Sequence, residues 1–296
     1  MTNYQLPKQS ADGKLSPEQT KWFVIKQLRR GDQDHFRGKR IMTTTEPPAI
    51  APGLAVLDIT DSDISALTGL LRTGVRVGNE HEERDLHLSE MIMKPWGCEY
   101  RAYVDDFIDV WQLTINAGHA TSMHAHPRKV TYLICLAGQG ITHKLSGDTA
   151  VRSGTILKIG KGVFHSTESL GPDPLILVEV ETPRNKYDLV RLKDGYKRAG
   201  TGYEQLSEAM TAKPKKLKYM PNASMCSLSP CGKFGFTICS GMDIHYRRHS
   251  AGDFLIPLCI SGIVRGDVDI LTSDPADTRP PKLDTYYLSI TRIIKK

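Results

Sequence analysis

From about residue 99 onward, short apolar runs alternate with turn residues, at 107–115, 130–136, 141–145, 154–159 and 174–180. This texture limits the fold more than any other feature. Runs of this length and spacing read as strands of an antiparallel sandwich or barrel, not as alternating strand and helix units. Residues 219–296 have the same β-rich character. Before residue 94 the pattern differs. Ser16-Pro17-Glu18 opens a helix signal in which Trp22, Ile25 and Leu28 recur at spacing three before Gly31. A second signal runs from Asp61 or Asp63 through Ile64, Leu67 and Leu71 to Gly74. The expected organisation is therefore a mixed, partly helical segment at 1–93, a β-domain at 94–200 and a β-rich region at 213–296. The polar stretch at 79–85, with His81 and Glu82, reads as a surface loop.

Composition excludes several classes. The 296 residues are 40% hydrophobic and 24% charged, ordinary for a globular protein. No run approaches the ~18–20 apolar residues that span a bilayer, and the first residues have no apolar core of a secretory signal. The expectation is a cytoplasmic protein with no membrane partner. Formal charge is mild, 39 basic minus 33 acidic, or +6. The basic run KPKKLK at 213–218 has no interleaved aromatics and reads as a solvated linker, so no nucleic acid is expected. A modest positive field suits an anionic small molecule. None of the six cysteines forms a C-x-x-C pair, and Cys135 and Cys259 lie in apolar runs as small hydrophobes.

Chemistry concentrates in the middle of the chain. Gly118 is followed by His124, His126, Thr131 and Gly138; later come Gly154, Gly160, Gly162, His165 and Ser169. Residues two apart on a strand share a face, so His124 and His126 point into one cavity, and His165 closes the site from a later strand. Imidazoles suit a divalent ion such as zinc, iron, manganese or nickel. Gly118, Gly138, Gly154 and Gly162 fall where an antiparallel barrel bends. His143 is a further candidate ligand, read more readily as an ordinary strand histidine. No carboxylate base is identifiable in the barrel.

The two glycine-framed histidine motifs resemble the signature pair of the cupin superfamily, which implies a mainly β double-stranded β-helix, or jelly roll, with a metal in its mouth. Thr131 stands where that pattern has glutamate, and Gly160 where it has proline. Three neutral ligands without the glutamate suit ferrous iron, as in a three-histidine dioxygenase. The flanks narrow the resemblance. Lys94-Pro95-Trp96-Gly97 ahead of the barrel, and Asp188, Arg191, Asp194, Tyr196 and Arg198 after it, resemble the motifs of type II mannose-6-phosphate isomerases. These include the isomerase half of bifunctional mannose-1-phosphate guanylyltransferases. The resemblance covers about residues 94–198, with Lys197 in place of a glycine. In that family a glutamine, a histidine, a glutamate and a later histidine hold the metal; His124, His126, Thr131 and His165 occupy those places, and Lys129 replaces an arginine.

The resemblance implies an enzyme acting on a sugar or sugar phosphate, an isomerase or epimerase that needs a metal and a proton-transferring group. A non-catalytic sugar-binding cupin is the other alternative. Lys129 and Arg198, with Lys161 behind them, are the candidates for contact with an anionic substrate or enediolate. A homodimer is the implied assembly. In the last third, residues 236–241 echo 113–118, and 256–262 echo 133–138, with glycine spacings of 20 and 21. A degenerate second cupin would follow, with Arg247 and His249 at the places of His124 and His126.

Overall fold

A computed structural model describes residues 53–78, 91–105, 108–197, 226–229, 231–246, 253–258 and 268–293. The helix signal at 16–31, His81 and Glu82, Arg198, the run at 213–218, Arg247, His249 and Cys259 lie outside these residues. Strand β1 (Leu54–Leu57) precedes helix α1 (Asp61–Arg72). There follow β2 (Ile92–Lys94), β3 (Gly97–Val104), β4 (Asp109–Ile115), β5 (Met123–Ala125), β6 (Val130–Ala137) and β7 (Gln139–Lys144). Next come β8 (Gly147–Arg152), β9 (Ile156–Ile159), β10 (His165–Ser169), β11 (Leu175–Thr182) and β12 (Val190–Lys193). The last group is β13 (Cys226–Leu228), β14 (Phe234–Ser240), α2 (Gly241–His245), β15 (Phe254–Pro257), β16 (Leu271–Thr272) and β17 (Tyr286–Arg292).

Three sheets result. The first has the order β1-β9-β6-β11-β4-β3-β2, the second β12-β5-β10-β7-β8, and the third β13-β14-β17-β15-β16. Among the described residues, only β1 pairs in parallel, with β9. The first two sheets close over Trp111, Leu113, Leu133, Cys135, Leu177 and Val151. This is the cupin double-stranded β-helix. Gly118, Gly138, Gly154 and Gly162 all have positive φ, between 72° and 94°, at the bends where they were expected.

Every residue of β11 and all but the last of β6 are buried. Alternation explains how. Leu133, Cys135, Leu175 and Leu177 point into the barrel. Tyr132, Ile134, Leu136, Ile176 and Val178 point the other way, against Phe236, Ile238, Ile256, Leu288 and Ile290 of the third sheet. A sheet covered on both faces reads as nearly continuous apolar sequence. The two layers are also tied by hydrogen bonds: the Val268 amide donates to the Tyr132 hydroxyl at 3.0 Å, and Arg292 donates to the Leu136 carbonyl at 2.7 Å. Of the internal echo, 113–118 ends β4 in a turn while 236–241 runs from β14 into α2, and the second copy at 256–262 passes outside the described residues at 259.

Helix α1 begins where the sequence placed it. The Thr60 hydroxyl accepts from the Asp63 amide, and the Asp63 carboxylate accepts from the Thr60 amide at 2.8 Å, a reciprocal cap. Leu67, Leu70 and Leu71 pack on Ala125, Phe164 and Val190, the outer face of the second sheet. No helix among the described residues is long and apolar enough to cross a membrane.

Candidate metal centre

His124 on β5 lies directly opposite His165 on β10, so their side chains share a face. His126, two residues past His124, keeps the same phase. The ring centroids are 4.5 Å apart for His124 and His165, 5.0 Å for His124 and His126, and 5.5 Å for His126 and His165. Ligand atoms of the three lie within 4.8 Å of one another. The structure thus brings together the three histidines picked out in the sequence.

Each ring is turned by a backbone carbonyl. His124 Nδ1 donates to Ser122 O at 2.7 Å, His126 Nδ1 to Asp188 O at 2.6 Å, and His165 Nδ1 to Val163 O at 3.0 Å. A carbonyl only accepts, so the proton is assigned to Nδ1 and the lone pair falls on Nε2. Burial pushes all three imidazoles below the usual histidine range, His165 to about 4, with neighbouring cations or other histidines adding to the effect. They are neutral at pH 7, as metal ligation requires. His126 Nε2 is buried with no hydrogen-bond partner among the described residues. An orphaned polar atom costs about 1–3 kcal/mol, and a metal ion at the centre of the three rings would satisfy it. The donor set fits a divalent ion.

The pocket at the histidines is small, about 40 Å³, with Glu99, Glu179, Glu181, Lys186 and Arg191 among its walls. A much larger cleft, about 480 Å³, lies between the barrel and the third sheet and includes none of the histidines. Chemistry, not size, identifies the site. The carboxylates correct the sequence reading, which found none in the barrel. Glu179 and Glu181 alternate with Val178 and Val180 on β11, in phase with the inward Leu175 and Leu177. That alternation was the available signal. Lys186 Nζ lies 3.2 Å from Glu179, 3.5 Å from Glu181 and 3.6 Å from Glu99, and 4.1 Å from the Trp111 ring centroid. Burial drives the Glu179 carboxyl upward against the pull of Lys186. Burial also opposes ionisation of Glu181, but Lys129 and Lys186 outweigh it and hold that group low.

Lys129 is 1% exposed, ion-paired with Glu181 and bonded to Asn185 O at 3.1 Å. It sits behind the pocket wall, holding Glu181, and is not among the residues that line the pocket. Lys161 is half-buried on the turn before β10. Thr131 is fully buried and faces Glu181 across β6 and β11. His143 is out of phase with His165: it pairs with Ser166, and its ring bonds Asp148 and Glu168 at 3.0 Å on the outer face. It takes no part in the centre.

Two flanking segments orient the site. The Asp188 carbonyl turns His126, and its carboxylate accepts from the amides of Arg128 and Lys129 at 2.7 and 3.1 Å. Arg191 lies opposite His124 on β12. The motif after the barrel therefore builds one wall of the site. Asp63 was read only as part of a helix start. Its carboxylate also accepts from the Phe164 amide at 2.9 Å, fixing the residue beside His165.

No family model matches the chain. Over 123 residues it is 28% identical to a mannose-1-phosphate guanylyltransferase of Klebsiella pneumoniae, a match that covers 40% of this chain and 26% of that protein. The chain thus spans about a quarter of that relative's length. Among solved structures, a Klebsiella pneumoniae protein with a double-stranded β-helix domain is 20% identical over 36% of this chain and 86% of its own, with a TM-score of 0.31. Oxalate decarboxylase of Bacillus subtilis is 20% identical over 35% of this chain and 29% of its own, with a TM-score of 0.32.

Proposed function

We propose that this cupin holds a divalent metal on His124, His126 and His165 and acts on a sugar or sugar phosphate, as an isomerase or epimerase. The observation that carries the metal is the shared geometry of the rings, each with Nδ1 bonded to a carbonyl and Nε2 left for a ligand. The sugar class is supported by the flanking motifs and by the 28% identity to a mannose-1-phosphate guanylyltransferase.

A divalent ion in this place supplies Lewis-acid polarisation of a carbonyl and its neighbouring hydroxyl. The chain's own groups supply the rest. Glu179 is the carboxylate nearest the histidines, 3.9 Å from His126 Nε2, and it stands beside the ammonium of Lys186. Lys186 and Arg191, from the segment after the barrel, place positive charge where an anionic oxygen would lie. The closed β-structure limits water around them.

Protein purified without affinity-tag histidines and assayed with mannose 6-phosphate and related sugars tests this assignment. One equivalent of zinc or manganese per chain, with sugar binding or turnover, is the expected result. A second reading, a ferrous dioxygenase, draws on the absence of a carboxylate at Thr131; iron with substrate-dependent oxygen uptake would replace the first reading by the second. Metal binding without binding or turnover of any sugar would remove the isomerase.

A further inference from the structure

We propose that Glu179 is a fourth protein ligand of the metal, the carboxylate having been supplied from β11 where β6 offers only Thr131. This rests on the metal assigned above to the three histidines. Glu179 Oε2 accepts from Lys186 Nζ at 3.2 Å, and Oε1 is turned to His126 Nε2 at 3.9 Å. That nitrogen is buried and has no hydrogen-bond partner among the described residues. Two donors bound to one ion at about 2.1 Å each stand about 3.0 Å apart at a right angle and about 4.2 Å apart when opposite. The separation from His126 falls within that range; Glu179 shares a close group with His126 but not with His124 and His165, so its side chain would turn toward the three rings to complete the ligand set. One ligand atom each from His126, Glu179 and Glu181 also lie within 4.8 Å of one another.

Glu179 and Glu181 do not compete for the role. Glu181 is ion-paired with Lys129 and lies 3.5 Å from Lys186. Thr131 pairs with Glu181 in the register, two residues along β11 from Glu179, and its hydroxyl is buried without a hydrogen bond. Threonine thus leaves this inner-face position without a carboxylate of its own. Charge argues the same way. Three neutral imidazoles leave the full double charge of the ion inside the barrel, where uncompensated charge is costly, and one carboxylate halves it. The side chains of Glu179 and Lys186 are 7% and 4% exposed, so water does little of this compensation.

The test is titration of manganese(II) or cobalt(II) into metal-free full-length protein, comparing the parent with Glu179→Gln, the double variant Thr131→Glu/Glu179→Gln, and His124→Ala/His126→Ala. Glutamine keeps the shape and an oxygen that accepts from Lys186, so the substitution removes charge and little else. Glu179→Gln should weaken metal binding by about tenfold or more, and Thr131→Glu, restoring a carboxylate to the same inner face, should recover much of the loss. A purely structural role for Glu179 predicts little loss in Glu179→Gln, because glutamine keeps an oxygen that accepts from Lys186. If Glu179→Gln folds poorly, Glu179→Asp, which keeps the charge beside Lys186 but withdraws the oxygen from the histidines, should likewise weaken binding, and parent-like affinity in it overturns the proposal. Parent-like affinity in Glu179→Gln, or no recovery in the double variant, overturns the proposal while the three-histidine centre stands. A parent that takes up neither ion overturns both.

Discussion

Along β6 and β11, neighbouring residues of one backbone meet opposite environments. Tyr132, Ile134, Leu136, Ile176 and Val178 point outward into a mainly apolar layer against the third sheet. Thr131, Glu179 and Glu181 point inward, where Lys129, Lys186 and three histidines await them. The outer side chains meet hydrocarbon, whereas the inner face combines an apolar layer of Leu133, Cys135, Leu175 and Leu177 with a cluster of charge at one end. A buried ionic cluster is seldom more stable than well-packed hydrocarbon of the same volume. The apolar layers on both faces therefore carry the stability of the sheet, and the inner charged cluster consists of groups kept for what they bind. On the inner face Lys94 lies 3.3 Å from Glu99, Lys129 pairs with Glu181, and Lys186 lies 3.2 Å from Glu179.

Substitutions should separate the two faces. Phe236→Ala in the third sheet removes a fully buried ring from the outer core and should cost about 3–5 kcal/mol, read by thermal or denaturant unfolding. Metal affinity of the protein that remains folded should not change. A large loss of affinity would mean that the faces are coupled. Tyr132→Phe sharpens the contrast on one strand. It strips the Val268 amide of its acceptor and should cost about 1–3 kcal/mol, again without effect on metal binding. The smallest effect is expected at His143, outside both buried layers. Its hydrogen bond to Glu168 raises its pKa; slight burial opposes this and Asp148 adds to the rise. A raised folded value means that its contribution to stability is complete below the unfolded pKa of about 6.5 and fades as pH climbs through the folded value. An NMR titration midpoint above 6.5 is expected. A midpoint at or below it would contradict the pairing with Glu168.

Much of this contrast was legible in the residues. Two-residue spacing put His124 and His126 on one face, and the glycines framed the bends, so the barrel and its three imidazoles followed from local rules. The inward glutamates were readable in principle from the alternation in the run LILVEVET at 175–182. They were missed because a strand buried on both faces hides its phase: apolar residues stand on both faces, so the two glutamates do not reveal which one is the inner. What covered the outer face was not legible at all. The third sheet joins the barrel core through side chains more than a hundred residues distant in sequence, such as Tyr132 and Val268. The roles of Asp63 and Asp188 were hidden for the same reason, since each acts on a histidine strand from 60 or more residues away.

The most direct measurement is the metal content of the His124→Ala/His126→Ala variant beside the parent, with circular dichroism to follow the fold. One divalent ion per chain in the parent and none in a variant that keeps its β-structure is the predicted outcome. Equal metal in both proteins would show that these imidazoles are not the ligands.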